Sequence, residues 1–131
     1  MTVRGIHHPS SALRTMRVRN PNAMAAMEGD KECFLEDVQV DGRWFRLEYQ
    51  CHPDGSNALA FCRHNPWGPD SLSILDSHLM GDGSICTSAR AHAGGDDLAF
   101  TIDRARFWCV GYAFLRQHGI AETRRVLGPD W

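Results

Sequence analysis

The sequence predicts an α+β domain in which helices pack on a four-strand antiparallel meander. Three observations predict it. Two runs of alternating apolar and polar residues flank Asp41-Gly42, the pair best suited to a two-residue hairpin turn. Apolar residues at three-four spacing run from Ile102 to Leu115, the pattern of a helix buried along one stripe. Between these, proline, glycine and asparagine separate segments too short to be helices. At 131 residues the chain is the size of one domain, 1–131, with no repeat or low-complexity run.

Ser10 or Ser11 caps a first helix over 12–19, with Leu13 and Met16 on one side. Asn20-Pro21 restarts it, asparagine as cap and proline at the first helical position, and this helix continues over 22–28. Met16, Met24 and Met27 are read as core filler. In the first strand of the meander Phe34, Glu36, Val38 and Val40 share a face. The return strand covers 43–51, with Trp44, Phe45 and Tyr49 in the sheet core. Residues 52–57 turn the chain into a third strand over 58–62. Pro66 and Pro69 bracket a stiff loop, and 71–75 is a short fourth strand. Residues 88–97 are small and polar and read as a flexible flap. Thr101 caps the long helix, Gly119 stops it, and one further turn is expected over 122–127.

Composition narrows the function classes. With 14 basic and 16 acidic residues the formal charge is -2, so nothing in it predicts binding to nucleic acid or anionic membranes. The apolar stretches fall short of a membrane span and no signal-peptide core follows Met1, so a cytoplasmic location is expected. Five cysteines, an odd number, favour reduced thiols over a disulfide framework. Lys31 is the single lysine.

Residues 77–88 read Ser-His-Leu-Met-Gly-Asp-Gly-Ser-Ile-Cys-Thr-Ser. Glycine accepts backbone angles that other residues resist, so Gly81-Asp82-Gly83 forms a turn that presents Cys86. A thiol acts as a nucleophile where it ionises and can be reached. Cys86 is therefore the candidate nucleophile. Cys51, His52, Cys62, His64 and His78 are metal-ligating types, but Cys62-x-His64 is too short for finger spacing and no Cys-x-x-Cys pair supports it. No metal or diffusible cofactor is expected.

The order of these parts resembles the ubiquitin-conjugating enzyme family. Pro66 and Pro69 resemble the proline pair before that family's fourth strand. His78, eight residues before Cys86, matches the histidine of its His-Pro-Asn. Gly83-Ser84-Ile85-Cys86-Thr87 resembles its cysteine motif, and Thr101-Ile102 follows Cys86 by fifteen residues, close to the family's spacing. The order of parts holds over 10–119, with the specific matches within 66–102. The chain also departs from the pattern. Leu79 and Met80 stand where the family has Pro-Asn, Thr87 replaces a leucine, and twelve residues after Gly119 leave no room for two later helices. Such trimming resembles the minimal bacterial branch, found beside ubiquitin-like, activating-enzyme-like and deconjugating-peptidase-like proteins in antiphage or self-modification systems.

The resemblance implies that Cys86 accepts the C-terminus of a ubiquitin-like protein as a thioester from an activating enzyme and passes it to an amine. With the asparagine absent, oxyanion donors are sought among backbone N–H groups over 82–85, Ser84, Thr87 and His78. His78 has a second reading, a hydrogen bond that pins the loop. Asp96, Asp97, His118 and Glu122 are candidates to deprotonate the amine, and each is equally explained as a solvated face. Trp67 either anchors a partner or closes its loop on the core. Arg14, Arg17 and Arg19 either dock the activating enzyme or are solvated. Two rivals stay open: a non-catalytic module of the same fold that binds a ubiquitin-like partner, and a thiol hydrolase with Cys86 activated by His78.

Overall fold

The computed structural model describes residues 9–86, 96–129 and 131. In chain order the elements are α1 (Ser11–Arg19), β1 (Met24–Glu28), β2 (Lys31–Val40), β3 (Arg43–Cys51), β4 (Leu59–His64), α2 (Ile74–Ser77), α3 (Leu98–His118) and α4 (Ile120–Leu127). The four strands form one sheet in the order β1-β2-β3-β4, each antiparallel to its neighbour. The α+β class, the four-strand meander and the long helix agree with the sequence expectation. None of the described helices is long and apolar enough to cross a membrane.

Alternation in β2 and β3 decides which face is buried. Phe34, Glu36 and Val38 stand opposite Tyr49, Leu47 and Phe45, so one face carries the aromatic and aliphatic side chains. Phe34, Phe45, Leu47 and Tyr49 are all fully buried, and each contributes about 2 kcal/mol through removal of apolar surface from water. Along α3, Ile102, Ala105, Trp108, Cys109, Tyr112 and Leu115 form the stripe that covers this face. Ala12 and Met16 bring α1 into the same core. Glu36, buried in the sheet, accepts from Nε and one terminal nitrogen of Arg106 on α3 and from the hydroxyl of Tyr49.

Several expectations are corrected. The segment 22–28 is not a helix: β1 pairs with β2 from Met24↔Leu35 to Glu28↔Lys31. Its alanines and methionines favour helix, but a strand pairing of five residues outweighs propensity, and Gly29 at φ +65° supplies the tight turn. Asn20 is the C-cap of α1, not the start of a new helix. Met24 is 52% exposed and Trp44 53% exposed, so neither belongs to the core. The expected strand over 71–75 is replaced by the single turn of α2, because the Ser73 hydroxyl caps it by accepting from the Asp76 amide. The sheet reaches four strands through β1 instead. Asp97, not Thr101, caps α3, and Thr101 lies buried one turn inside it. Most of the expected flap lies outside the described residues; Asp96 and Asp97 are parts of the sheet edge and the α3 cap.

Candidate active site

Cys86 is reached through a small hairpin that folds onto the outer edge of β4. The Met80 amide donates to the Ser84 carbonyl, and the Gly83 amide closes the turn on the Met80 carbonyl. Leu79 and Ile85 pair as an antiparallel bridge. At the open end of this hairpin the Cys86 amide donates to the His78 carbonyl at 2.9 Å. The two residues singled out as catalytic candidates are therefore backbone partners.

The hairpin is seated on β4 by two further bonds. The Cys62 amide donates to Gly83 at 2.7 Å, and the Ile85 amide to Ala60 at 2.8 Å. Gly83 has φ +90°, and a Cβ there would stand 3.1 Å from the Cys62 carbonyl oxygen, so glycine permits this close approach. Arg63 reinforces the tip. Its Nε donates to Glu48 at 2.7 Å, a guanidinium nitrogen reaches the Asp82 carbonyl at 3.4 Å, and the group lies 4.4 Å over the Phe61 ring. Phe61 pairs with Ser84, and on the same side of the chain just before β4 Ala58 pairs with Asp96, its amide donating to the Asp96 carbonyl at 2.9 Å.

This geometry removes most of the expected oxyanion donors. The amides of Gly83, Ile85 and Cys86 are committed to carbonyls, and the Ser84 amide and hydroxyl both donate to the Asp82 carboxylate. That carboxylate is held below its ordinary value by the Ser84 hydrogen bonds. A donor already bonded within the hairpin is not preorganised for a developing charge. Thr87 lies outside the described residues. The His78 ring packs edge-on against Trp131, with centroids 5.0 Å apart, and its Nε2 is buried with no hydrogen-bond partner among the described residues. His78 meets Cys86 through its backbone.

The candidate bases separate in the same way. Asp97 is spent on the Phe100 amide as the α3 cap, and Glu122 is ion-paired with Arg125, which holds its carboxyl low. His118 packs with its ring tilted against Phe114 in the last turn of α3, about 30 Å along the helix from Leu98. Asp96 is the acid whose backbone adjoins the cysteine edge. Trp67 closes its loop on the core, 6.0 Å from Phe45 and 6.2 Å from Tyr112, with Arg43 stacked on it. Arg17 bonds the carbonyls of Pro21 and Ala23, and Arg19 pairs with Asp103.

No disulfide joins Cys33, Cys51, Cys62 or Cys109. Burial pushes the Cys51 thiol up to about 12 and the Cys62 thiol to about 11. Burial together with the Glu28 hydrogen bond pushes Cys33 up to about 11, and burial raises Cys109 as well. Cys51, His52, Cys62, His64 and His78 do not converge on a common point among the described residues. The ligating atoms that do gather there belong to Glu28, Cys33 and Glu48, within 4.8 Å of one another. Glu48 is already engaged by Arg63.

Sequence reasoning missed Ser77, Arg63, Trp108 and Trp131, which hold the two ends of the hairpin. Only Gly111, a glycine within an otherwise strong helix, signals in sequence that another chain segment approaches closely. Trp131 is that segment: a Cβ on Gly111 would collide with its ring. No protein-family model, curated protein or solved structure matches this chain.

Proposed function

We propose that this chain is a minimal ubiquitin-conjugating-like enzyme that carries a ubiquitin-like protein as a thioester on Cys86. The observation that carries the reading is the His78–Cys86 backbone pair. It holds the nucleophile's main chain at the open end of an edge-seated hairpin, while Cys86 itself stays half-exposed. Four other thiols are kept protonated by their surroundings, which suits them to packing rather than to attack. The order of helix, meander, cysteine segment and long helix supports the same reading, as does the cysteine motif over 83–87.

The chemistry has two steps. The Cys86 thiolate attacks the thioester carbonyl joining the ubiquitin-like C-terminus to the activating enzyme; a new C–S bond forms and the activating enzyme's thiolate leaves. An amine then attacks the Cys86 thioester, an amide forms, the Cys86 thiolate leaves, and the amine's surplus proton passes to a base. Asp96 is the acid best placed along the chain for that last task. The reaction asks for no metal or diffusible cofactor on this chain. Its partners are a ubiquitin-like protein and an activating-enzyme-like protein, with a deconjugating peptidase in the same system. Lys31, exposed at the start of β2, is the single lysine, which argues against extensive self-modification on lysine.

The test combines the protein with candidate activating enzymes, their ubiquitin-like proteins and ATP, followed by gels with and without reductant. A reductant-sensitive adduct is expected, lost in Cys86→Ala and replaced by a reductant-stable ester in Cys86→Ser. Absence of any adduct overturns the reading. Turnover of a small thioester or ester without an adduct favours the thiol hydrolase instead.

A further inference from the structure

Two indole N–H groups converge on the end of α2. Trp108 Nε1 donates to the Ser77 carbonyl at 2.8 Å, and Trp131 Nε1 to the Asp76 carbonyl at 3.0 Å. A single-turn helix leaves its last carbonyls without intrahelical partners, so these donors satisfy groups that water would otherwise take. Arg124 adds a bond to the Asp76 carboxylate at 3.2 Å. Immediately afterwards the chain turns into the left-handed region at His78, φ +56°, and the His78 carbonyl receives the Cys86 amide. The order is therefore continuous: indole, α2 carbonyl, His78, Cys86.

The two tryptophans differ in what they can be asked to do. Trp108 is 2% exposed and stacked on Tyr112, so it belongs to the core itself. Trp131 is partly buried against the core from outside. It lies flush on Gly111, with its ring edge-on to His78 and 6.4 Å from Phe107. Its indole N–H and ring edge meet the Asp76 carbonyl and the His78 ring, on the approach to Cys86.

We propose that Trp131 is a positioning residue for Cys86: its indole, seated on Gly111, holds the Asp76 carbonyl and the His78 ring, and so keeps the His78 carbonyl beneath the Cys86 amide. The catalytic consequence rests on the thioester reading; the mechanical one does not. A displacement of the nucleophile by about 1 Å through a distant side chain suffices to slow a reaction by one to two powers of ten.

Three variants test this. Trp131→Ala removes the ring, Trp131→Phe keeps a ring but not the N–H, and Gly111→Ala leaves Trp131 intact while its new Cβ drives the ring away. Amide hydrogen exchange of Cys86 and the ring-current shift of the His78 resonances are read first. In Trp131→Ala and Gly111→Ala the Cys86 amide exchanges about tenfold faster and the His78 shift is lost, while amides of β2 and β3 keep their protection. Trp131→Phe retains part of the His78 shift and recovers only part of the protection. In single-turnover thioester formation, the maximal rate falls about tenfold with the half-saturating donor concentration unchanged. Unchanged Cys86 exchange overturns the proposal. So does faster exchange at an unchanged maximal rate, and so does an equal loss of protection throughout the sheet. A wild-type protein that forms no thioester overturns the carrier reading instead, and exchange and ring current then decide whether Trp131 holds the pair.

Discussion

The Cys86 amide donates to the His78 carbonyl at 2.9 Å, although eight residues separate the two in the chain. That bond makes His78 a mainchain partner of the candidate nucleophile, and it explains why this residue tolerates φ +56°. The left-handed turn is what aims its carbonyl across the hairpin.

Backbone and ring at His78 can be separated by substitution. His78→Gly accepts the left-handed angle without steric cost and is expected to stay within about 1 kcal/mol of wild-type stability. His78→Val, β-branched at a positive φ, is expected to lose about 2 kcal/mol or more. Chemical denaturation of the two variants measures this. Equal stabilities would mean that the backbone angle does not matter here. If His78→Gly also retains thioester formation, the imidazole is not the oxyanion donor.

Thiol labelling follows the surroundings of each cysteine. At pH 8 a thiol pushed up to about 11 is ionised in about one molecule in a thousand, so Cys33 and Cys62 react slowly, and Cys51, at about 12, more slowly still. Brief treatment of the folded protein with iodoacetamide at pH 8 is therefore expected to label Cys86 first, read by peptide mass mapping. Labelling of Cys33 or Cys62 ahead of Cys86 contradicts this ordering.

Gly83→Ala tests the seat of the hairpin. Its methyl group would meet the Cys62 carbonyl oxygen at 3.1 Å, and φ +90° is strained for any residue with a Cβ. A loss of about 2 kcal/mol is expected, together with slower charging of Cys86, because the hairpin must lift from β4 to relieve the contact. A melting temperature and charging rate equal to wild type would show that the edge pairing is dispensable.

Acid stability depends on Glu36. Burial pushes its carboxyl up, but hydrogen bonds from Arg106, Tyr49 and Asn20 outweigh burial and hold it below the ordinary value of 4.5. A depressed folded value stabilises the protein above pH 4.5 and is lost as pH falls through the folded value. Glu36→Gln is expected to cost about 2 kcal/mol at pH 7, less than breaking a fully buried ion pair costs, because the Arg106 side chain is 33% exposed. Its stability should fall less steeply than wild type below pH 4.5. Glu32 has the opposite sign. Burial raises its carboxyl despite the Ser10 hydrogen bond, so its contribution is present below 4.5 and fades as pH rises through the raised value. Glu32→Gln should therefore leave neutral-pH stability unchanged or higher, as read by urea unfolding at pH 7.

Features carried by neighbouring residues are legible in the amino-acid sequence itself. Asp41-Gly42 between alternating runs specifies the β2–β3 hairpin, and the three-four spacing from Ile102 to Leu115 specifies the buried stripe of α3. Glycines around Asp82 mark the turn that leads to Cys86. These signals are local, so a short window contains them whole. The segment 24–28 is different. Its own residues favour helix, and only the presence of β2 alongside makes it a strand. Likewise Ser73 reads as part of a strand and Asp97 as part of a flap until the chain around them folds and their side chains become caps. The bond from the Ile85 amide to Ala60, the approach of Trp131 to Gly111 and the bond from Cys86 to His78 join residues that no periodicity relates. Cys86 could be named from its motif; what holds its backbone in place emerges only when β4, α2, α3 and Trp131 meet around it.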